Sequence, residues 1–295
     1  MLNFLKSGIQ NCGVIYEKKN CKKLLREIYN TRNFKRIFLS KKKYLAGDQS
    51  FFKTNPSPGN NLLHKLNCSF IFENKIFVKE MKKILGNNYR ILDYKLVMGM
   101  PESFLPTWIK NLTKNNMTCN LGAFVKPVYR DITYFKGIDF HQDIIDFPTR
   151  DPDFITAYIY LDDVDINTSP LYLIPKSHIL GASIFPHSLH IKKNIIYYKN
   201  NNKILESKIK ILNGLAGSMS YWHPFILHGT QPHKFSVPRI SVRLLVEKNR
   251  RVPNGSLIDK INGKIKGKII LSLTQKEFNS KGKVIKRGNK INLIK

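Results

Sequence analysis

The sequence Phe140-His141-Gln142-Asp143 decides how the rest of the chain is interpreted, because it places a histidine and an aspartate two positions apart at a predicted strand end. Side chains in an extended chain alternate between faces, so His141 and Asp143 point the same way. An imidazole beside a carboxylate supplies two of the ligands of a metal site. The pair alone is weak, since such residues at a strand end are usually solvated. A third ligand is needed.

His228 is the best candidate for that third ligand. It closes the apolar segment 222–227 and precedes Gly229, which predicts a position at the end of a buried strand. His223 lies an odd number of residues away and, if the strand is regular, faces the opposite side. Most of the other histidines are interpreted as ordinary surface or packing residues.

Arg239 and Ser241 form a second i, i+2 pair, which follows His228 by 239 − 228 = 11 residues. An arginine fork binds a carboxylate through two hydrogen bonds, and a neighbouring hydroxyl can donate to the same oxygens. The pair is therefore a candidate carboxylate clamp, with Arg243 on the same strand face as a possible substitute. Without the metal-site pattern, a surface arginine paired with an aspartate would be the better explanation.

Hydrophobic periodicity divides the chain into an N-terminal part with helices and a C-terminal part rich in strands. Helical spacing predicts helices near residues 20–28 and 108–109 and from about Asn74 to Leu85, the last ended by Gly86. Irregular loops are predicted over residues 41–61 and 192–203. Strands are predicted over Tyr89–Met100, Leu121–Val125, Phe154–Leu161, Leu171–Pro175, Ile209–Leu212, Ser218–Leu227 and Ile240–Glu247. So many short strands indicate a sandwich or jelly roll.

The chain is strongly basic, with a formal net charge of +30. A basic surface attracts nucleic acids and anionic membranes. The lysines are spread evenly through all parts of the chain, as an A+T-rich coding sequence would produce, so we expect no nucleic-acid partner. In the segment 249–295 isoleucine alternates with lysine around Asn262-Gly263, which predicts a basic C-terminal hairpin or tail.

The cysteines and the hydropathy indicate the compartment. The four cysteines show no C-x-x-C spacing, so free thiols are expected rather than a zinc ribbon or a disulfide framework. No segment approaches the roughly 18 apolar residues that a membrane span needs, and no signal-like apolar run opens the chain. The sequence therefore predicts a soluble, cytoplasmic protein.

Taken together, these motifs resemble the phytanoyl-CoA dioxygenase family of Fe(II)/2-oxoglutarate-dependent dioxygenases. The blocks that carry the resemblance match in order and spacing, and they are His141-Gln142-Asp143, Phe147-Pro148, Leu161-Asp162-Asp163, Ile174-Pro175-Lys176-Ser177-His178, residues 223–229 and Arg239. The specific resemblance covers roughly residues 139–246, while the N-terminal helices are similar only in general pattern.

The resemblance implies a mainly β (α+β) fold. Its core would be a double-stranded β-helix, a cupin-like jelly roll of eight strands, with the N-terminal helices packed on one side. The implied organisation is a single dioxygenase domain over residues 1–248, with helices to about residue 88 and the jelly-roll core from about residue 89. The tail 249–295 would follow it.

The resemblance also implies the cofactors. His141, Asp143 and His228 would form the facial triad that leaves three positions open on Fe(II). Arg239, with Ser241, would hold the distal carboxylate of the cosubstrate 2-oxoglutarate. Such an enzyme uses O2 to hydroxylate a small-molecule or carrier-bound metabolite while 2-oxoglutarate is converted to succinate and CO2.

Several positions depart from the family pattern. Tyr158 stands where the family usually has tryptophan, so it would stack on or donate to 2-oxoglutarate, or serve as an ordinary strand aromatic. The family commonly has glycines in the segments that are Asn167-Thr168-Ser169-Pro170 and Pro175-Lys176-Ser177-His178 here. We therefore expect these two turns to differ, with His178 as a structural turn residue. The presence of Asp143 argues against a halogenase.

Other classes of protein remain open at this point. A non-catalytic jelly-roll binding protein would keep the fold, but a degenerate relative tends to lose a ligand or the clamp. An oxygenase acting on nucleic acid would need basic residues gathered at the pocket mouth. A zinc hydrolase could use the same three ligands but would have no use for Arg239.

Overall fold

A computed structural model of the chain describes residues 2–47, 51–57, 59–114, 119–147, 150–183, 187–192, 195–200, 202–249 and 255–265. The α-helices in these ranges are α1 (Leu2–Ser7), α2 (Lys18–Thr31), α3 (Lys41–Ala46), α4 (Phe51–Thr54), α5 (Ser69–Phe72), α6 (Lys75–Leu85), α7 (Thr107–Thr113) and α8 (Leu257–Asn262). Short 3-10 helices lie at Leu62–Lys65, Glu102–Phe104, Gly122–Phe124, Pro127–Tyr129, Asp143–Asp146 and Ser177–Leu180.

The strands of these ranges dominate the C-terminal part, as the sequence predicts. They are β1 (Ile9–Val14), β2 (Arg90–Gly99), β3 (Cys119–Asn120), β4 (Thr133–His141), β5 (Phe154–Tyr160), β6 (Leu171–Leu173), β7 (Ser188–Lys192), β8 (Ile195–Asn200), β9 (Lys203–Lys208), β10 (Lys210–Leu212), β11 (Ser218–Trp222), β12 (His228–Thr230) and β13 (Arg239–Glu247).

The main sheet is a nearly closed barrel made of two rows of strands. The first row has the order β11-β5-β13-β2 and the second row has the order β4-β12-β6-β10. Neighbours within each row are antiparallel, whereas β2 and β4 pair in parallel and join the two rows. Strand β1 extends the first row at β11, and β3 pairs with β4. This is the jelly-roll core that the resemblance implies, and the predicted fold class is confirmed.

Strand β13 shows how the alternation of side chains separates the helix side of the sheet from the barrel interior. Ile240, Val242 and Leu244 point outwards into a large apolar cluster with α2 and α6. Arg239, Ser241 and the odd-numbered residues that follow point inwards, where a second apolar cluster lies between the two rows. The polar residues of β13 therefore differ from the rest of the barrel interior, which is mainly apolar.

Helix α6 confirms the predicted start and stop signals. The Asn74 side chain accepts hydrogen bonds from the backbone of Ile76 and Phe77, and Gly86 ends the helix with a φ of 91°. Its buried side chains are Phe77, Met81, Ile84 and Leu85. Burying each stabilises the fold by about 1.5–3 kcal/mol, which fixes the helix against the outer face of the first row.

Several predicted boundaries are wrong. The expected loop over residues 192–203 contributes to a separate three-stranded sheet, β7-β8-β9. Its buried Ile196 and Tyr198 alternate with lysine and half-buried residues, so frequent lysine hid the strand period. The expected loop over residues 41–61 contains α3 and α4, and the expected strand over residues 121–125 contains a 3-10 helix.

The predicted C-terminal hairpin is also wrong where the structure describes it. Helix α8 ends at Asn262, the residue predicted for the turn. Ser256 and Asp259 form a capping box at its start, and Asn262 donates a hydrogen bond to the Pro152 carbonyl at 3.0 Å. Residues 266–295, the rest of the predicted tail, lie outside the described residues. No helix in the described ranges is long and apolar enough to cross a membrane.

The two turns without glycine keep a left-handed backbone. Ser169 has a φ of 59° and Lys176 has a φ of 67°. This region favours glycine and costs other residues about 1–2 kcal/mol. Both turns therefore have the conformation that a glycine would adopt, although the sequence comparison led us to expect changed turns.

Candidate metal centre and carboxylate site

The barrel brings the three predicted metal ligands together at one end of β4. His141 is the last residue of β4 and lies directly opposite His228, the first residue of β12, with ring centroids 4.2 Å apart. His228 thus begins a strand of its own, because the predicted strand 218–227 ends at Trp222. Asp143 opens the 3-10 turn that follows β4. One ligand atom from each of the three residues lies within 4.8 Å of the others.

Backbone carbonyls orient both imidazoles towards the aspartate. Nδ1 of His141 lies 2.9 Å from the Asp139 carbonyl, and Nδ1 of His228 lies 3.0 Å from the Ile226 carbonyl. A carbonyl oxygen can only accept, so each Nδ1 carries the proton and each Nε2 keeps a free lone pair. Burial lowers the pKa of His228 to about 4 despite the opposing effect of Asp143. A neutral imidazole with a free Nε2 is the form that binds a metal.

Three donors hold the Asp143 carboxylate in place. Oδ2 accepts from Thr156 Oγ1 at 2.6 Å and from Trp222 Nε1 at 3.0 Å, and Oδ1 accepts from Arg243 Nη2 at 2.6 Å. Burial by itself would raise the pKa of this carboxyl, but Arg243, His228, the other triad histidine and Thr156 outweigh burial and hold the pKa well below its usual range. A carboxylate offers about four acceptor positions, so one remains for a metal.

Arg239 is buried without a hydrogen-bond or ion-pair partner among the described residues. It is 3% exposed, and none of its three guanidinium nitrogens forms a hydrogen bond within the described residues. Its guanidinium carbon lies 5.2, 5.6 and 5.9 Å from the ring centres of Phe135, Tyr158 and Tyr160. The buried hydroxyl of Ser241 also lacks a partner in the described chain. A buried, unpaired charge is costly, so this arrangement fits a carboxylate ligand such as that of 2-oxoglutarate.

The two arginines of β13 therefore have different roles. Arg243 was the sequence-based alternative for the clamp, but its hydrogen bond to Asp143 at 2.6 Å favours Arg239 for that role. Tyr158 lies on β5 directly opposite Arg243. Its ring centre lies 5.6 Å from the guanidinium carbon of Arg239 and 5.9 Å from the ring centre of Trp222.

Sequence reasoning missed the residues that hold Asp143. Thr156 is the one hydroxyl-bearing residue other than tyrosine in the apolar strand β5, which is a usable signal. Trp222 gave no signal, because a buried tryptophan at a strand end is ordinary. The two other conspicuous histidines lie outside the triad: His223 bonds Asn262 at 2.9 Å, and His178 is buried in a 3-10 turn. His178 is thus a turn residue, as predicted.

Comparison with known proteins agrees with this geometry. The family model for phytanoyl-CoA dioxygenase (PhyH) matches residues 15–241. The chain belongs to the phytanoyl-CoA dioxygenase family. It is accordingly a 2-oxoglutarate-dependent non-haem iron oxygenase, whose cofactors are Fe(II), 2-oxoglutarate and O2. The family match reaches further towards the N-terminus than the motifs do. None of the curated proteins matches the sequence.

Solved structures of similar fold include an epimerase and a carbocyclase. The non-haem α-ketoglutarate-dependent epimerase SnoN of nogalamycin biosynthesis has 12% identity and a TM-score of 0.52, over 84% of this chain and 81% of SnoN. The carbocyclase SnoK of the same biosynthesis has 10% identity and a TM-score of 0.50, over 84% and 82%. EctD from S. alaskensis has 13% identity and a TM-score of 0.50, over 87% and 78%. At these identities the likeness shows the fold.

Proposed function

We propose that the chain hydroxylates a small-molecule or carrier-bound metabolite and converts 2-oxoglutarate and O2 to succinate and CO2. The observation that carries this proposal is the unpartnered Arg239 guanidinium inside a barrel that also holds the His141, Asp143 and His228 cluster. A zinc hydrolase has no use for such a buried cation. A non-catalytic binding protein has no reason to keep all three metal ligands and the clamp.

In this proposal His141, Asp143 and His228 bind the iron. The backbone carbonyls of Asp139 and Ile226 hold both imidazoles in the tautomer with a free Nε2. The three donors to Asp143 prevent its rotation and keep it ionised. Because the carboxylate and both rings are already oriented, little conformational entropy is lost when the metal binds.

At the other end of the site, Arg239 and Ser241 would bind the distal carboxylate of 2-oxoglutarate, with Tyr158 beside it. The aromatic rings around Arg239 exclude water, so the ion pair with a carboxylate is stronger than it would be in solvent. Bound iron and 2-oxoglutarate supply the O2 activation needed for hydroxylation. Arg239 and Ser241 would orient the cosubstrate, and a metal held by only three protein ligands would keep positions free for it and for O2.

Succinate release from 2-oxoglutarate under Fe(II) and ascorbate tests the proposal. The wild-type protein should form succinate, and candidate metabolites that are substrates should increase the rate. Asp143→Ala should abolish succinate formation, because removal of one triad ligand leaves a site of two imidazoles next to the unpaired charge of Arg243.

Asp163→Ala is the matched control, since Asp163 pairs with the exposed Lys18 at 3.1 Å and has no described contact with the triad. It should retain wild-type turnover. Full turnover in Asp143→Ala would remove this carboxylate from the metal site and overturn the proposed roles.

A further inference from the structure

A second cation lies on the interior face of the barrel beside Arg243. In the register of β2 and β13, Lys95 lies directly opposite Arg243, so both side chains emerge on the same face of the sheet. Arg243 contacts Asp143, which identifies this face as the face of the metal triad. Val97, the next residue of β2 on that face, belongs to the apolar cluster between the two rows. Lys95 therefore lies at the metal end of the barrel.

Among the described residues, the Lys95 ammonium has no close anionic partner. It forms no hydrogen bond or ion pair within 4.0 Å in the part of the chain that the structure describes. Burial and the neighbouring Arg243 lower the pKa of Lys95 to about 8, against smaller opposing effects of Asp146, Asp93 and Asp143. The side chain is still mostly protonated at neutral pH, and its three N–H donors are unused.

Arg243 also has donors to spare. Within the described residues its guanidinium makes one hydrogen bond, from Nη2 to Asp143. A guanidinium carries five N–H donors in a planar fork, so Asp143 leaves most of the Arg243 donors unused. The carboxylates of Asp93 and Asp146 influence both cations but lie beyond ion-pair distance of Lys95.

This pair of cations is too far from Arg239 to serve the same ligand group. Arg239 and Arg243 lie on one face of β13 four residues apart, which is roughly 13 Å at about 3.3 Å per residue. The triad contacts the Arg243 end of this strand. A cosubstrate that extends from the triad to Arg239 therefore leaves Lys95 and the free edge of Arg243 available for a different ligand.

We propose that Lys95 and Arg243 form an anion subsite next to the metal triad, and that the substrate carries a carboxylate or phosphate group that binds there. The inference rests on the proposed function, because the subsite has meaning only if iron and 2-oxoglutarate occupy the neighbouring positions. It assigns a substrate class: a small anionic metabolite whose charged group lies close to the reacting carbon.

Anion titration of the loaded protein tests this inference. The protein is prepared anaerobically with Fe(II) and 2-oxoglutarate and titrated with inorganic phosphate or with sodium propionate, against sodium chloride at equal ionic strength. Calorimetry gives the affinity, and the weak visible charge-transfer band reports whether iron and 2-oxoglutarate are loaded. Lys95→Met is compared with Lys199→Met, which removes an exposed lysine of the separate sheet.

The wild-type protein should bind at least one of the two anions more tightly than chloride, and the tighter one identifies phosphate or carboxylate as the substrate group. Lys95→Met should weaken that binding at least about tenfold, the loss of one charge-assisted hydrogen bond. Lys199→Met should bind as the wild type does. Absence of anion binding in the loaded wild type, or equal binding by Lys95→Met, overturns the subsite. Absence of the charge-transfer band in the wild type overturns the proposed function instead.

Discussion

The two ends of strand β13 present the same residue type in opposite states. Arg239 is 3% exposed and has no hydrogen bond within the described chain, whereas Arg243 is 9% exposed and donates to Asp143 at 2.6 Å. Both side chains point into the barrel from one face of one strand. The position along the strand, and not the residue type, decides which arginine pairs with a carboxylate of the described chain and which does not.

This difference separates structure from function within one strand. A buried ion pair that loses one partner leaves an uncompensated charge, so Arg243 is needed for the folded state. A buried arginine without a hydrogen-bond partner among the described residues costs stability, which supports the proposed role of Arg239 in binding a ligand. Substitution of either arginine tests this difference.

Arg243→Met should produce the largest change in stability. Asp143 would then be a buried carboxylate without its cation, so the metal-free protein should lose about 3–5 kcal/mol of unfolding free energy. Arg239→Met is the matched control, and its unfolding free energy should equal or exceed that of the wild type, because an unpaired charge is removed. Denaturant unfolding in the presence of a chelator measures both. Equal destabilisation by the two substitutions would contradict the distinction.

The pH dependence of this loss should follow Asp143. Its pKa in the folded protein lies below the usual value of 3.8. The stabilisation from the ion pair is thus fully present above the usual pKa and is lost as the pH falls below it towards the folded value. The stability difference between wild type and Arg243→Met should shrink when unfolding is measured from about pH 7 to below about pH 4. A difference that stays constant over this range would assign the destabilisation to packing.

The smallest predicted effects concern the two turns with a left-handed backbone, at Lys176 and Ser169. Lys176 has a φ of 67°, and its replacement by glycine should raise the unfolding free energy by about 0.5 kcal/mol, since relief of the left-handed strain exceeds the added chain entropy. Ser169→Gly should gain less, because it loses the hydrogen bond from Ser169 Oγ to the Gln231 carbonyl. Thermal unfolding measures both. A clear loss of stability in Lys176→Gly would show that the lysine side chain matters more than its backbone.

Much of the fold could be predicted from the sequence, in those elements where burial of one face gives the apolar residues a regular spacing. The alternation of β13 and the helical stripe of α6 follow directly from apolar spacing, with Asn74 and Gly86 as local signals. The three-stranded sheet β7-β8-β9 could not be predicted, because lysine occupies its exposed positions and its turns alike. Helix α8 was missed for a related reason: Asn262-Gly263 suits a hairpin turn as well as a helix end.

The part of the site that could be predicted is the set of metal ligands, because few residue types bind a metal. His141 and Asp143 were a weak signal by themselves, the resemblance to the family implied the triad with His228, and the structure brings these three together. The contact between Arg243 and Asp143 joins residues 100 positions apart. No local pattern reports a contact of this kind, so the pairing of Arg243 with Asp143 could not be predicted from the sequence.

The most direct test of the central claim is a titration of the anaerobic Fe(II) protein with 2-oxoglutarate, followed by the visible charge-transfer band. The wild type should develop the band, and Arg239→Met should need at least about 30-fold more 2-oxoglutarate to reach half of it, which corresponds to the loss of about 2 kcal/mol from a buried charge pair. Arg239→Lys should fall between the two. A wild-type protein that never develops the band, or an Arg239→Met variant that saturates with the wild type, would contradict the account.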